Sequence, residues 1–289
     1  MEKHSVVDTD AGPASRGGDR ASADGLWLAA EPVRLLPLLQ MVSVSPLLAC
    51  LGLTEEGQPL LLRLAAPDVR HLLIAGCEGA GKTELIRAIA VALALTHRQA
   101  RLQLAVIDPG SQGLLPLSGL PHLVADRASD TASALALLDR LVGLADRRRR
   151  ESFAWPHIIV ALDEMHGLLS TGGLAAEAAL LQLAQSGPSA GIHLLAGVAD
   201  PARLPQGLQA SFPARCVGRV ADAFAAAAGA GRGGTGAESL HGQGDFILVA
   251  SGQTLRFQAA WLPAHDWPVV GRWFERRRKT DDRSTTKDE

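Results

Sequence analysis

The sequence has few of the residues that mark extracellular or membrane-spanning proteins. It holds three cysteines, Cys50, Cys77 and Cys216, an odd number without CxxC or Cys/His metal spacing, which indicates a reduced, cytoplasmic protein. The N-terminus lacks the apolar segment of a secretory signal. The longest apolar stretch, 33–53, is interrupted by an arginine and two prolines, whereas a membrane span needs about 20 nearly unbroken apolar residues. We therefore expect a soluble protein with no membrane span of its own.

Lysine is also scarce, since only four of the 28 basic residues are lysines. Three of them lie near the chain ends, and Lys82 is the one in the central part of the sequence. The formal net charge of −2 gives no support for a surface that coats nucleic acid, although a ring contacting DNA through a few residues needs no such surface. With 289 residues, 47% of them hydrophobic, the chain is long enough for one large α/β domain.

Apolar segments of strand length alternate along the chain with segments of helical periodicity. The predicted strands are 71–75, 102–107, 158–162 and 192–197, and the predicted helices are 83–95, 131–148 and 174–183. This alternation predicts an α/β fold with a mostly parallel sheet covered by helices on both faces. Further strands are predicted at 215–220, 245–250 and 254–261, the last two forming a hairpin around Ser251-Gly252.

Composition divides the chain into four parts. Residues 1–29 are polar and rich in Ala, Gly, Ser and Asp, which predicts a disordered N-terminal arm. Residues 30–70 form a β-rich lead-in, and residues 71–274 form the α/β domain itself. Residues 275–289 are a charged C-terminal tail.

The sharpest motif matches the phosphate-binding pattern GxxxxGK[ST] and follows the first predicted strand of the α/β domain. Its residues are Gly76, Cys77, Glu78, Gly79, Ala80, Gly81, Lys82 and Thr83. Glycines let backbone N–H groups turn inward around phosphate, and the following helix adds a partial positive charge at its N-terminus. Lys82 would reach the terminal phosphates, and the Thr83 hydroxyl would bind Mg²⁺. The alternative is a glycine-rich turn that contains Lys-Thr by chance. The strand before the motif and the helix after it disfavour this alternative.

Such a loop needs a metal-binding acid at the end of a neighbouring strand. The apolar segment 158–162 ends in two consecutive carboxylates, Asp163 and Glu164. Ligands bind open α/β sheets at the carboxyl ends of the strands, where these side chains should lie. We predict that Asp163 holds Mg²⁺ and that Glu164 acts as the general base on the attacking water. A strand that simply ends at solvent is the alternative.

Several segments resemble conserved motifs of the FtsK/SpoIIIE family in the family's order. The segment leading into the glycine-rich loop resembles "PHLLVAG…GKS", and "AGIHL" and "GAESL…GxGD" recur here. The corresponding residues are 71–76, 106–109, 121–123, 146–148, 190–194, 236–240 and 242–245. The likeness extends over about 46–274. It implies a RecA-like P-loop NTPase core that uses ATP and Mg²⁺ and assembles as a homo-oligomeric ring, a hexamer, around double-stranded DNA. A membrane-anchored or DNA-targeting partner protein also fits this resemblance.

Four departures from the family pattern remove polar or basic groups. Gly110 replaces a lysine, residues 186–189 lack positive charge, and Asp222 is followed by an alanine-rich apolar stretch. The segment that the family ends with a polar sensor for the γ-phosphate reads Val198-Ala199-Asp200, whose first two side chains cannot donate to phosphate. Nucleotide binding is therefore better supported than hydrolysis, and hydrolysis better than coupled translocation.

A ring ATPase also uses an arginine from the neighbouring subunit to stabilise the transferring phosphoryl group. Arg215 matches the family's "PTR" and is the predicted catalytic arginine, while Arg219 and Arg232 remain alternatives. The sequence does not separate the three.

The leading hypothesis is an ATP-driven motor that translocates or transfers double-stranded DNA. One alternative is a module of a type VII secretion-like or conjugation coupling ATPase, which carries the same core. The other is a degenerate ATP-binding scaffold subunit, favoured by the apolar Val198-Ala199 and opposed by the intact Glu164.

Overall fold

The structure, a computed structural model, describes residues 7–9, 32–42 and 47–285. The strands are β1 Val7–Thr9, β2 Leu48–Thr54, β3 Pro59–Arg63, β4 Leu72–Ala75, β5 Leu102–Ile107, β6 His157–Leu162, β7 Ile192–Val198, β8 Ala214–Val217, β9 Asp245–Ala250 and β10 Gln253–Ala259. The helices are α1 Leu35–Leu39, α2 Lys82–Thr96, α3 Thr131–Arg150, α4 Met165–Ser186, α5 Gln206–Ala210, α6 Ala223–Ala230 and α7 Trp267–Thr285. Short 3₁₀ turns lie at Leu115–Gly119, Pro188–Ala190, Pro201–Arg203, Ala237–Ser239 and Ala264–Asp266.

All ten strands form one sheet in the order β1-β3-β2-β10-β9-β8-β4-β7-β6-β5. The half from β8 to β5 is parallel, and the half from β1 to β9 is antiparallel and joins it through the β8–β9 pair. The predicted α/β class with a parallel core is confirmed. The predicted lead-in contributes β2 and β3 to the same sheet, so it extends the core structure.

Both faces of the parallel half are covered, which explains its nearly continuous apolar strands. In β4, Leu72 and Ile74 pack into the cluster that includes α2, whereas Leu73 and Ala75 pack into the cluster on the side of α3 and α4. This alternation follows from the two-residue period of a strand. The buried sheet thus gives a rigid base for the loops at its carboxyl edge.

Helix α4 is longer than its predicted part, 174–183, because the structure continues it back to Met165. Gly173 has φ 53° and ψ −142°, which breaks the helix and hid its first half from the periodicity. Among the described residues, α4 is also the one helix whose length and composition would suit a membrane span. Core helices pass the same criterion, and Leu168, Leu180 and Leu183 of α4 are buried against the protein.

The structure describes the two chain ends only in part. The predicted arm, 1–29, lies outside the described residues except for β1. The predicted tail boundary at 275 falls inside α7, which runs to Thr285, and residues 286–289 are not described. Trp267, Val270 and Phe274 recur at helical spacing and pack on the core, which anchors the start of α7.

Candidate active site

The glycine-rich loop connects β4 to α2 and depends on two of its glycines. Gly81 precedes α2 in a left-handed conformation (φ 101°), and a Cβ there would lie 2.9 Å from the Gly244 nitrogen. At Gly76 (φ 155°) a Cβ would lie 2.8 Å from the Ala80 Cβ. Any larger residue at these two positions would strain the backbone and would clash with the atoms packed against the loop. The sequence therefore needs glycine at both places to form this turn.

Backbone hydrogen bonds tie the loop to the ends of two adjoining strands. The Gly76 N–H donates to the Val198 carbonyl at 3.2 Å, and the Cys77 N–H donates to the Arg219 carbonyl at 2.8 Å. The Lys82 Nζ donates to the Cys77 carbonyl at 3.3 Å, and this lysine is only 7% exposed. The ammonium group is thus folded over the loop that would hold phosphate.

A second loop, residues 241–245, supports the glycine-rich loop from the antiparallel half. Gln243 and Gly244 donate their N–H groups to the Gly79 and Ala80 carbonyls, both at 2.9 Å. Asp245 is buried and holds this loop through a bidentate pair with Arg256, at 3.0 and 2.9 Å. In the sequence this GxGD segment was only a point of resemblance, and its contact with the glycine-rich loop was not predicted. The signal in the sequence was the pattern Gly-x-Gly immediately before an aspartate.

Thr83 and Asp163 meet directly. The Thr83 hydroxyl donates to Asp163 Oδ2 at 2.5 Å, and Asp163 Oδ1 accepts the Glu164 N–H at 3.0 Å. Asp163 is 1% exposed. The structure therefore brings together the two residues that were predicted to share a metal ion.

The metal-binding acid was expected on the strand next to β4. This expectation was wrong, because β7 lies between β4 and β6, the strand that Asp163 follows. The carboxylate of Asp163 reaches Thr83 across β7 at Gly197. A Cβ at Gly197 would lie 2.5 Å from Asp163 Oδ1. The absent side chain of Gly197 therefore makes room for the acid, a dependence that only the sheet order reveals.

Glu164 immediately precedes α4 and lies in the left-handed region, with φ 50° and ψ 49°. A non-glycine residue in this region costs on the order of 1–3 kcal/mol and such strain concentrates at functional positions. Its half-buried side chain has no hydrogen-bond partner within the described part of the chain. The backbone thus holds Glu164 beside Asp163 in a conformation that local propensity does not favour.

The loop after β5 forms another side of the site. Asp108 is fully buried, accepts the Leu114 N–H at 2.8 Å and lies 3.5 Å from Arg127. This anchoring brings Gly113 against Thr83, where a Cβ would lie 2.7 Å from the threonine methyl group. Asp108 entered the sequence comparison only as part of a motif, and its role as an anchor was not predicted.

The three arginines proposed for a neighbouring subunit differ in their contacts. Arg215 donates to the carbonyls of Gln209, Phe212, Ala228 and Gly229, at 2.6, 2.9, 3.0 and 3.3 Å. Burial lowers the pKa of its guanidinium group. Arg219 and Arg232 are exposed, and the Arg219 carbonyl binds the glycine-rich loop. These contacts disfavour Arg215 as a residue that reaches another chain, contrary to the sequence-based choice.

The FtsK/SpoIIIE family matches residues 41–155, which include the whole glycine-rich loop. The resemblance to the FtsK/SpoIIIE family is confirmed. The DNA translocase FtsK of Tropheryma whipplei is 26% identical over 269 residues, 82% of this chain and 36% of that protein. The DNA translocase FtsK of Bacillus cereus is 30% identical over 251 residues, 75% of this chain and 30% of that protein. This FtsK/SpoIIIE-like chain thus spans about a third of the length of these curated relatives.

Solved structures agree on the fold of the FtsK/SpoIIIE-like chain. The cytoplasmic domain of the type VII secretion ATPase EccC from Thermomonospora curvata has a TM-score of 0.65 at 24% identity, covering 88% of this chain and 34% of that one. The pCW3 conjugation coupling protein TcpA has a TM-score of 0.68 at 21% identity, covering 82% and 72%. At this identity the likeness establishes the fold of P-loop ATPase domains.

Proposed function

We propose that the site binds ATP with its phosphates on the loop Gly76–Thr83. The observation that carries this proposal is the direct contact between Thr83 and the buried Asp163 beneath that loop. A hydroxyl and a carboxylate are oxygen ligands, which Mg²⁺ prefers, so these two residues fit the ion. When bound, Mg²⁺ would neutralise charge on the β- and γ-phosphates. Lys82 would then turn from the Cys77 carbonyl to the phosphate oxygens.

We further propose that the site hydrolyses ATP. Glu164 follows Asp163 at the carboxyl edge of the sheet, and its carboxylate would accept the proton of the attacking water. An arginine of a neighbouring subunit would stabilise the charge on the transferring group, and the exposed Arg219 and Arg232 fit this role better than Arg215. This assignment predicts that the isolated chain hydrolyses ATP slowly and that assembly accelerates it.

The substrate that we propose is double-stranded DNA, moved through a homo-oligomeric ring, a hexamer, in the cytoplasm. Two of its relatives are DNA translocases, which supports this substrate. A net charge of −2 is compatible with contact through a few residues of a ring. A membrane-anchored or DNA-targeting partner would direct such a ring. The second candidate is an ATP-binding scaffold, which the apolar end of β7 at Val198 and Ala199 favours.

The deciding experiment measures ATP hydrolysis with and without double-stranded DNA. A motor should show DNA-stimulated turnover that disappears in Lys82→Ala. Glu164→Gln should keep ATP binding and lose hydrolysis, whereas Glu177→Gln, on the same helix, should behave like the native protein. Sedimentation with nucleotide and DNA should show an oligomer.

Two results would reject parts of this proposal. ATP binding without turnover under any of these conditions would leave the scaffold. Turnover stimulated by a peptide and not by DNA would favour the secretion-type alternative.

A further inference from the structure

The supporting loop, residues 241–245, holds the peptide group between Ala80 and Gly81 in the glycine-rich loop. The carbonyl of this peptide group accepts the Gly244 N–H at 2.9 Å. In a trans peptide the carbonyl and the N–H point in opposite directions, so this bond turns the Gly81 N–H away from the supporting loop. Within the described residues the Gly81 N–H has no hydrogen-bond partner. It is therefore oriented and available for a ligand.

The preceding peptide group, between Gly79 and Ala80, is held in the same way. Its carbonyl accepts the Gln243 N–H at 2.9 Å, and its own N–H donates to the Cys77 carbonyl at 3.2 Å. The Lys82 ammonium donates to the same carbonyl at 3.3 Å. Two donors thus converge inside the glycine-rich loop, where the backbone N–H groups of such loops cradle the α- and β-phosphates.

The supporting loop depends in turn on side chains of β10. Arg256 donates to both carboxylate oxygens of the buried Asp245, at 3.0 and 2.9 Å. The Asp245 carboxylate also accepts the His241 N–H at 3.0 Å, so this ion pair fixes both ends of the loop. Gln258 Nε2 donates to the Gln243 carbonyl at 3.0 Å and holds its middle.

The backbone of the supporting loop would not keep this shape without such contacts. Gly242, Gln243 and Gly244 all have positive φ, at 83°, 53° and 93°. A non-glycine residue in the left-handed region is strained, and it persists only where the surrounding structure holds it there. We expect the loop to relax when Arg256 or Gln258 is removed. Its grip on the two peptide groups of the glycine-rich loop would then loosen.

We propose that Asp245 and Arg256 are positioning residues for nucleotide binding. They hold the supporting loop, which orients the Ala80 and Gly81 N–H groups toward the β-phosphate. The inference rests on the proposed function, because it places the phosphates on the glycine-rich loop. The acids that follow β6 lie on the other side of β4 from β9 and β10, so the chemical step should not depend on this ion pair. The pair therefore acts on affinity and not on turnover.

The test compares the native protein with Arg256→Met, Arg256→Lys and Gln258→Ala. Calorimetry with Mg²⁺ measures the affinity for ADP and for AMP-PNP, a triphosphate analogue that is not hydrolysed. Both ligands carry the β-phosphate, so Arg256→Met should weaken both about tenfold through lost preorganisation. Arg256→Lys, which keeps the charge, and Gln258→Ala should weaken both about threefold. In steady-state ATP hydrolysis the KM should rise by the same factors while kcat stays at the native value.

A second arginine–aspartate pair supplies the control for a general loss of stability. Arg34 lies 2.7 Å from the buried Asp266, and it makes no hydrogen bond to either loop within the described part of the chain. Arg34→Met should lower the free energy of unfolding, as Arg256→Met does, and should leave both nucleotide affinities native. Urea unfolding of each variant shows that the protein is folded at the temperature of the calorimetry.

Native affinities in the folded Arg256→Met protein would refute the inference and leave the proposed function standing. The same weakening in Arg34→Met would make the Asp245–Arg256 pair a structural feature only, as would a loss of kcat at native KM. If Arg256→Met does not fold, Arg256→Lys and Gln258→Ala decide, and native affinities in both would refute the inference. A native protein that binds neither nucleotide would reject the proposed function, and the inference with it.

Discussion

The two edges of the parallel half of the sheet hold their polar residues in opposite ways. At the carboxyl edge, Glu164 is strained and His166 has shielded nitrogens without partners in the described chain. At the amino edge, His71, His157 and His193 lie close together and each has a hydrogen-bond partner. His71 bridges the Leu194 N–H and the Ala184 carbonyl, and His193 bonds the Arg70 carbonyl at 2.7 Å and His157 at 3.3 Å.

The difference separates residues that hold the fold from residues that are available for chemistry. His193 lies in β7, and both of its ring nitrogens have a hydrogen-bond partner. No group of three or more histidines, cysteines or acids in the described residues is arranged to hold a metal ion. The hydrogen bonds of His71 and His193 stabilise the amino edge. The predicted substitutions test whether polar satisfaction, or position alone, separates structural residues from functional ones.

The largest effect on stability should come from a substitution at Arg215. This residue was predicted for the active site, but in the structure its guanidinium group donates to backbone carbonyls of its own chain. Arg215→Met would remove the guanidinium hydrogen bonds to four backbone carbonyls and should lower the free energy of unfolding by about 4 kcal/mol, at about 1 kcal/mol for each hydrogen bond. Urea unfolding measures this loss, and Arg219→Met should leave stability unchanged. Native stability in Arg215→Met, combined with lost hydrolysis by the assembled protein, would restore Arg215 as the catalytic arginine.

Acidification should weaken the amino edge. Burial lowers the pKa of His71 to about 4, from a value near 6.5 in the unfolded chain. Below pH 6.5 the unfolded state therefore binds a proton that the folded state does not, so stability falls as the pH drops from about 6.5 to about 4. The contribution of His71 is on the order of 3 kcal/mol across this window.

Urea unfolding at several pH values would measure this dependence. His71→Gln, which does not titrate, should show a flatter profile than the native protein, and His265→Gln should show the native profile. Identical slopes in the native protein and His71→Gln would contradict the assignment.

A substitution at Gly197 tests whether Asp163 needs the space that this glycine leaves beside its carboxylate. Gly197→Ala would place a Cβ 2.5 Å from Asp163 Oδ1 and should displace the acid from Thr83. We expect Mg²⁺-dependent ATP hydrolysis to fall about 100-fold, because misplacement of a catalytic group by about 1 Å has effects of this size. Gly143→Ala, where a Cβ would meet nothing within 4 Å, is the control. Native activity in Gly197→Ala would mean that Asp163 does not need its present position.

The smallest effect concerns a satisfied acid near the same edge. The Asp222 carboxylate accepts the Ala225 N–H at 2.8 Å and caps the start of α6. Asp222→Ala should lower the free energy of unfolding by about 1 kcal/mol, and Asp222→Asn should preserve it, because asparagine also caps helices. Nucleotide affinity should be native in both variants. A selective loss of nucleotide affinity would show that an acid at this edge can be functional even when its carboxylate already has a hydrogen-bond partner.

Much of the fold was predictable because the segments are strongly periodic. The predicted strand 102–107 coincides with β5, and the predicted helix 131–148 differs from α3 by two residues at its end. The helix α7 was missed because its charged residues dominate the composition, although Trp267, Val270 and Phe274 mark a buried stripe. The first half of α4 was missed for a different reason, because the break at Gly173 interrupts its periodicity.

The candidate site, too, was predictable from the sequence only in part. The glycine-rich loop and the pair Asp163-Glu164 are short, contiguous patterns, so the sequence by itself was enough to predict a phosphate and metal site there. The gap at Gly197, the support from Gln243 and Gly244 and the commitment of Arg215 to its own backbone depend on residues far apart in the chain. Only the tertiary structure decided these features, because sheet order and hydrogen bonding determine which polar groups are satisfied and which remain available.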